Sequence, residues 1–157
     1  MRAGLRPALP RTILLRAPSE LVTPFAPRGL VIYLYLAAGG VIGTLARYGV
    51  GQWFPTRAGT DFPWPTFAIN VTGSLVLGFA ARAFETMPVT PEVRALVAVG
   101  FCGAFTTFST YSYETVALMQ AGHWGRASLY AAGSVAVGLL AVFAGMTLAG
   151  AAFRPRG

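Results

Sequence analysis

Gly100-Phe101-Cys102-Gly103-Ala104-Phe105-Thr106-Thr107-Phe108-Ser109-Thr110-Tyr111-Ser112-Tyr113-Glu114 gives the chain two conflicting instructions. Its first residues continue an apolar run that begins near Pro91, yet Thr106, Thr107, Ser109, Thr110 and Ser112 follow almost without pause. Glycines cost a helix backbone entropy, and neighbouring hydroxyls compete for its backbone groups. In lipid such a weak point survives only where it is buried in protein or lines a polar cavity. Carbonyls freed at a helix break commonly coordinate ions. The stretch therefore predicts a membrane span broken around Gly103 to Thr107, and it places the functional candidate there.

The rest of the chain supports a membrane setting. Of 157 residues, 55% are hydrophobic and only 11% charged, against about 25% charged in a soluble domain. Mean hydropathy is +0.60. Four apolar runs approach the roughly 20 residues that cross a bilayer. They cover Leu30 to Tyr48, Pro65 to Phe84, Pro91 to Gln120 and Trp124 to Phe153. The length allows one domain, an all-α membrane protein of four transmembrane helices over residues 29–157. Trp53, Phe54, Trp64 and Trp124 fall at the ends of runs, where aromatic rings favour the interface.

All 12 basic residues are arginines, and the formal net charge is +7. They sit in the tails and at the ends of the runs, which fits membrane topology or phospholipid contact rather than nucleic acid. An even number of spans puts both termini on one side. That side collects Arg2, Arg6, Arg11, Arg16, Arg28, Arg82, Arg94, Arg154 and Arg156, against Arg47, Arg57 and Arg126 on the other. The excess places the termini in the cytoplasm, in a multi-pass protein of the inner or plasma membrane. Residues 1–28 are basic and proline-rich and are given no fold. A disordered extension, a targeting segment and a start codon placed too early are the three readings. The single cysteine, Cys102, allows no internal disulfide, and with the single histidine, His123, it does not point to a His/Cys metal site. No nucleophile and base are paired in the sequence, so an enzyme is not expected.

Several motifs have both a structural and a functional reading. Gly39 and Gly43 on the first span, Gly73 and Gly78 with Ser74 on the second, and Gly133 and Gly138 on the fourth read as close helix packing. Asn70 lies inside the second span, and a buried amide is costly without partners. It is either an interhelical tie or a pore-lining donor. Tyr130 and Ser134 share a helix face, which Gly138 continues without a hydroxyl. Arg47 can snorkel to the interface. Glu114 follows the hydroxyl cluster, and an intramembrane acid is a functional candidate.

The segment Gly100 to Glu114 resembles the G-F-C-G-G-x-T-T-F-S-T-F-S-x-E signature of the Fluc/CrcB fluoride channels. Gly39-Gly-Val-Ile-Gly-Thr-Leu-Ala-Arg-Tyr48 is similar to that family's first-helix G-G-x-x-G-x-x-x-R-Y, and Pro65-Thr-Phe-Ala-Ile-Asn-Val-Thr-Gly-Ser74 to its second-helix T-x-x-x-N-x-x-G-S. The likeness covers about Leu30 to Gly150. It implies an antiparallel, dual-topology homodimer with two fluoride pores along the subunit interface. It also implies a structural sodium ion at the dimer centre, held by main-chain carbonyls, here those of Gly103 and Thr106. By the same resemblance Asn70 and Phe108 belong to the pore, with Ser109, Thr110 and Ser112 beside the aromatics. Tyr130 and Ser134 form part of a polar track, and Arg47 and Glu114 match the family's first-helix arginine and third-helix glutamate.

Two departures bear on assembly. Tyr111 stands where the family usually has phenylalanine, and the arginine-rich tail biases insertion where dual topology needs balanced charge. Both fit an alternative, a subunit of fixed orientation that pairs with a homologue as a heterodimer. A small coupled exporter is the less favoured reading, because Leu30 to Tyr48 contains no acid. A non-transporting membrane scaffold is another.

Overall fold

The computed structural model describes residues 29–54 and 62–153. The expectations for residues 1–28, and those for Arg57, Arg154 and Arg156, lie outside the described residues. Within them four helical segments are long and apolar enough to cross a membrane: Val31–Trp53, Trp64–Thr86, Pro91–Gln120 and Trp124–Ala152. We label α1 as Val31–Trp53 and α2 as Trp64–Thr86. The third span is composite. It comprises α3 (Pro91–Arg94), a π-helical stretch (Ala95–Cys102), α4 (Gly103–Phe105) and α5 (Phe108–Gln120). The last span is α6 (Trp124–Ala152).

The helix ends follow local chemistry. α1 runs five residues beyond Tyr48, because losing apolarity does not end helical hydrogen bonding. It stops at Phe54, whose extended backbone (ψ 114°) suits the residue before a proline. Met87, before Pro88, ends α2 in the same way. Pro65 lies in the first turn of α2, as expected. Thr90 caps α3 by accepting a hydrogen bond from Val93 N–H. The turn into α6 needs Gly122, whose φ of +82° is the left-handed region. There Gly122 N–H and His123 N–H close onto the carbonyls of Met119 and Leu118, satisfying the end of α5.

Two helix pairs dominate. α2 lies along α6, while α1 lies along the first half of the third span; after Thr107 the span leaves α1 and α5 packs on α6. The π-helical stretch is not foreshadowed by the sequence. Close approach rests on glycine. A Cβ at Gly39 would meet the Leu96 carbonyl oxygen, and one at Gly43 that of Phe101. On α2 a Cβ at Gly78 would strike the Val142 carbonyl, but on α6 the matching close contact is at Gly145, against Leu75. Gly133 and Gly138 make no such contact within the chain: among the described residues a Cβ would meet nothing within 4 Å at Gly133 and only Ser74 Oγ, at 3.7 Å, at Gly138. Glycine count does not reveal which α6 face touches α2.

Large apolar side chains such as Leu34, Leu45, Leu139, Leu140 and Phe143 point outward. That inverts a soluble protein and suits a lipid surround. Trp53, Trp64 and Trp124 stand exposed at helix ends.

Candidate functional site

The site forms where helical hydrogen bonding lapses. Thr106 (ψ 158°) and Thr107 (φ −148°, ψ 113°) are extended. In an uninterrupted helix Thr107 N–H would bond the Gly103 carbonyl, and Thr110 N–H the Thr106 carbonyl. Instead Thr107 N–H donates to Asn70 Oδ1 at 2.8 Å, and Thr110 N–H to Thr107 Oγ1 at 3.2 Å. The Thr106 hydroxyl turns back to the Cys102 carbonyl at 2.9 Å. Gly103 and Thr106, the residues named for cation ligation, have thus both lost their helical donors to other acceptors.

Asn70 serves the first of its two readings, the interhelical tie. Its Nδ2 donates to the Thr107 carbonyl at 3.1 Å while its Oδ1 accepts from the same residue. The partners fix the amide's orientation, since Thr107 offers one donor and one acceptor. An amide replaces both backbone bonds of an extended residue, as a neighbouring strand would. One amide N–H remains after this clasp. Asn70 also lines the adjoining cavity, so the pore reading stays compatible with the tie.

That cavity, about 270 Å³, is lined by Asn70, Ser74, Thr106, Thr107, Phe108, Tyr111 and Ser134, together with Gly73, Leu77 and Val135. Ser134 is only 9% exposed, and its Oγ has no hydrogen-bond partner among the described residues. A buried hydroxyl without a partner carries a desolvation cost that a ligand would relieve. Phe108 is 78% exposed, and its ring centroid lies 5.5 Å from that of Tyr111. The Tyr111 hydroxyl donates to the Ala131 carbonyl of α6 at 3.1 Å. The extra hydroxyl is thereby tied to a helix backbone.

A second cavity of about 380 Å³ has a wall that includes Thr44, Arg47, Thr66, Thr107 and Thr110. Thr107 is the residue common to both. Its hydroxyl also bonds Ser109 (3.2 Å) and Thr110 (3.0 Å). Ser112 donates to the Phe108 carbonyl. Glu114 joins three helices: one carboxylate oxygen accepts from Thr66 Oγ1 at 2.9 Å and the other from the Tyr130 hydroxyl at 2.7 Å. Tyr130 is wholly buried among Phe62, Phe67, Tyr111, Leu118 and Ala127.

The structure therefore brings Asn70, Thr106, Phe108, Tyr111 and Ser134 to one cavity and Arg47 and Thr110 to the other. Ser109, Ser112, Glu114 and Tyr130 line neither. Sequence reasoning named Thr107 only as part of the break. Its place just before a new helix, with a hydroxyl for the cap, was the available signal. Ser74 was assigned to packing and lines the first cavity.

Four helices long and apolar enough to cross a membrane, with a hydroxyl-lined cavity between α2, the interrupted third span and α6, define a multi-pass membrane protein. The sequence matches the family described as CrcB-like protein, Camphor Resistance (CrcB), over residues 34–146, and the chain belongs to that family. Among its relatives is a protein of Acidobacterium capsulatum named Fluoride-specific ion channel FluC, 49% identical over 117 residues, covering 74% of this chain and 94% of the relative. A Thermus thermophilus protein of the same name is 46% identical over 123 residues, covering 78% and 97%. One from Chlorobaculum tepidum is 50% identical over 117 residues, covering 74% and 92%.

Proposed function

We propose that this chain forms a fluoride-selective channel, through which fluoride leaves the cytoplasm passively across the inner or plasma membrane and its toxicity falls. The observation that carries the reading is the cavity at Thr106–Thr107, where an unpartnered buried hydroxyl, an amide and two aromatic rings face one small space. Fluoride is compact and strongly hydrated, so removing its water requires small donors set close together. The remaining Asn70 N–H and the Ser134 hydroxyl are such donors. A ring edge is weakly positive, so Phe108 and Tyr111 can meet an anion that a carboxylate would repel. The curated relatives named as fluoride channels support the same substrate.

The working form is an antiparallel, dual-topology homodimer with two pores. The Gly103 and Thr106 carbonyls fit a hard cation, because oxygen ligands suit it and their helical donors are engaged elsewhere. A sodium ion held there supplies fixed positive potential in a low-dielectric region. Arg47 lines the second cavity, where its positive charge attracts anions.

The test is fluoride efflux from liposomes containing the purified protein, with chloride measured in parallel. Fluoride-selective flux without a proton requirement is expected. Phe108→Ile is expected to reduce it, and normal conduction by that variant would remove Phe108 from the pore. A second reading, the fixed-orientation heterodimer subunit, is favoured by the nine arginines on the terminal side against three opposite. It predicts no flux by the protein alone and recovery when an oppositely oriented homologue is added.

A further inference from the structure

The stripe of hydroxyls on α6 stops short. Tyr130 and Ser134 occupy one face, and the next position, Gly138, has no side chain to offer. One helical turn is about 5.4 Å, a long gap for an ion stripped of water. The structure fills that gap from another helix. Ser74 of α2 stands opposite Gly138, its Oγ 3.7 Å from where a Cβ on Gly138 would lie.

Ser74 also differs from several hydroxyls in the spans. Those of Thr72, Thr86, Ser112, Thr115 and Thr147 fold back onto carbonyls three or four residues earlier. Ser134 makes no such bond, and no hydrogen bond of Ser74 is present among the described residues. Both line the same cavity, and Ser74 lies one turn beyond Asn70 on α2, as Gly138 lies one turn beyond Ser134 on α6. α2 and α6 are held in this register by the close backbone contacts at Gly78 and Gly145.

We propose that Ser74 supplies, from α2, the hydroxyl that α6 lacks at Gly138, so that the donor line for a small dehydrated anion passes from Ser134 across to Ser74. This rests on the channel reading above. Gly138 is then the space that lets the Ser74 hydroxyl face the cavity.

The experiment uses the full chain in liposomes, with fluoride efflux per folded protein as the readout and a thermal unfolding midpoint for every variant. Ser74→Ala is expected to slow efflux about tenfold, the order expected for losing one hydrogen bond to an anion. Ser74→Cys, of similar shape but a weak donor, is expected to slow it comparably with an unchanged midpoint. Ser74→Ala combined with Gly138→Ser returns the hydroxyl from α6, and efflux is expected to recover to within about twofold of wild type. Wild-type rates in Ser74→Ala or Ser74→Cys overturn the proposal, as does a double variant no faster than Ser74→Ala. Absence of fluoride-selective efflux in the wild-type protein overturns the homodimeric channel reading itself. Wild-type efflux untouched by Ser74 substitution overturns Ser74 alone.

Discussion

The two halves of the third span are held by opposite means. From Ala95 to Phe105 the span is apolar, π-wound over Ala95–Cys102, and laid so close to α1 that glycine is needed at positions 39 and 43. From Phe108 onward it carries hydroxyls and an acid, and it is tied to α2 and α6 by Thr66–Glu114, Tyr130–Glu114 and Tyr111–Ala131. Lipid offers little hydrophobic drive for helices to associate, because its tails are as apolar as leucine. One half answers with backbone proximity and dispersion, and the other with directional bonds. The second half carries the polar side chains, and the two halves are joined through the extended Thr106 and Thr107.

The contrast can be broken most severely in the first half. Gly39→Leu is expected to force α1 from Leu96 and to cost about 3 kcal/mol or more. It would appear as lost monodisperse protein in size-exclusion chromatography and a lower unfolding midpoint. Gly40, where a Cβ meets nothing within 4 Å, is the control. Gly40→Leu should stay within about 0.5 kcal/mol of wild type. Equal behaviour of the two would sink the account of α1 packing.

At the junction the expected effect is smaller in stability and larger in function. Asn70→Leu leaves both backbone groups of Thr107 without their partner and should cost about 2 kcal/mol. Fluoride efflux should fall on the order of 100-fold. Asn70→Asp sharpens the comparison, because it keeps an acceptor for Thr107 N–H but loses the donor and adds a negative charge. It should retain more stability than Asn70→Leu while conducting no better. If Asn70→Asp conducts normally, Asn70 is a tie and nothing more.

The mildest change is in the second half. Tyr111→Phe removes the bond to the Ala131 carbonyl, and interhelical bonds in membranes average about 0.6 kcal/mol. A small drop in the unfolding midpoint and efflux within about twofold of wild type are expected. A rise of about tenfold or more would mean that the hydroxyl obstructs the pore rather than bracing α5.

The four spans were legible because hydrocarbon demands a minimum apolar length, and that demand is local. The weak point was legible too: Gly103 and the run of hydroxyls from Thr106 contradict a continuous helix on propensity alone. Less was legible at long range. Gly133 and Gly138 had the same composition as Gly39 and Gly43, yet Gly145 makes the close contact, because helix rotation is set by both partners. The π-helical winding had no signature, since Ala95 to Cys102 would suit any buried helix. Glu114 read as a functional candidate without named partners, because Thr66 and Tyr130 lie 48 and 16 residues away in sequence.

By itself the sequence determined that this chain crosses a membrane four times, where its third crossing is weakest, and which family it resembles. Those properties follow from local apolarity, helix propensity and motif spacing. Tertiary structure decided which polar groups are spent and which are left over. Asn70 is largely engaged by Thr107 and Glu114 by its two hydroxyl donors, while Ser134 keeps a buried hydroxyl without a partner. A hydrogen bond needs its partner within about 3 Å, and only the packing of α2, α5 and α6 brings partners from distant sequence that close.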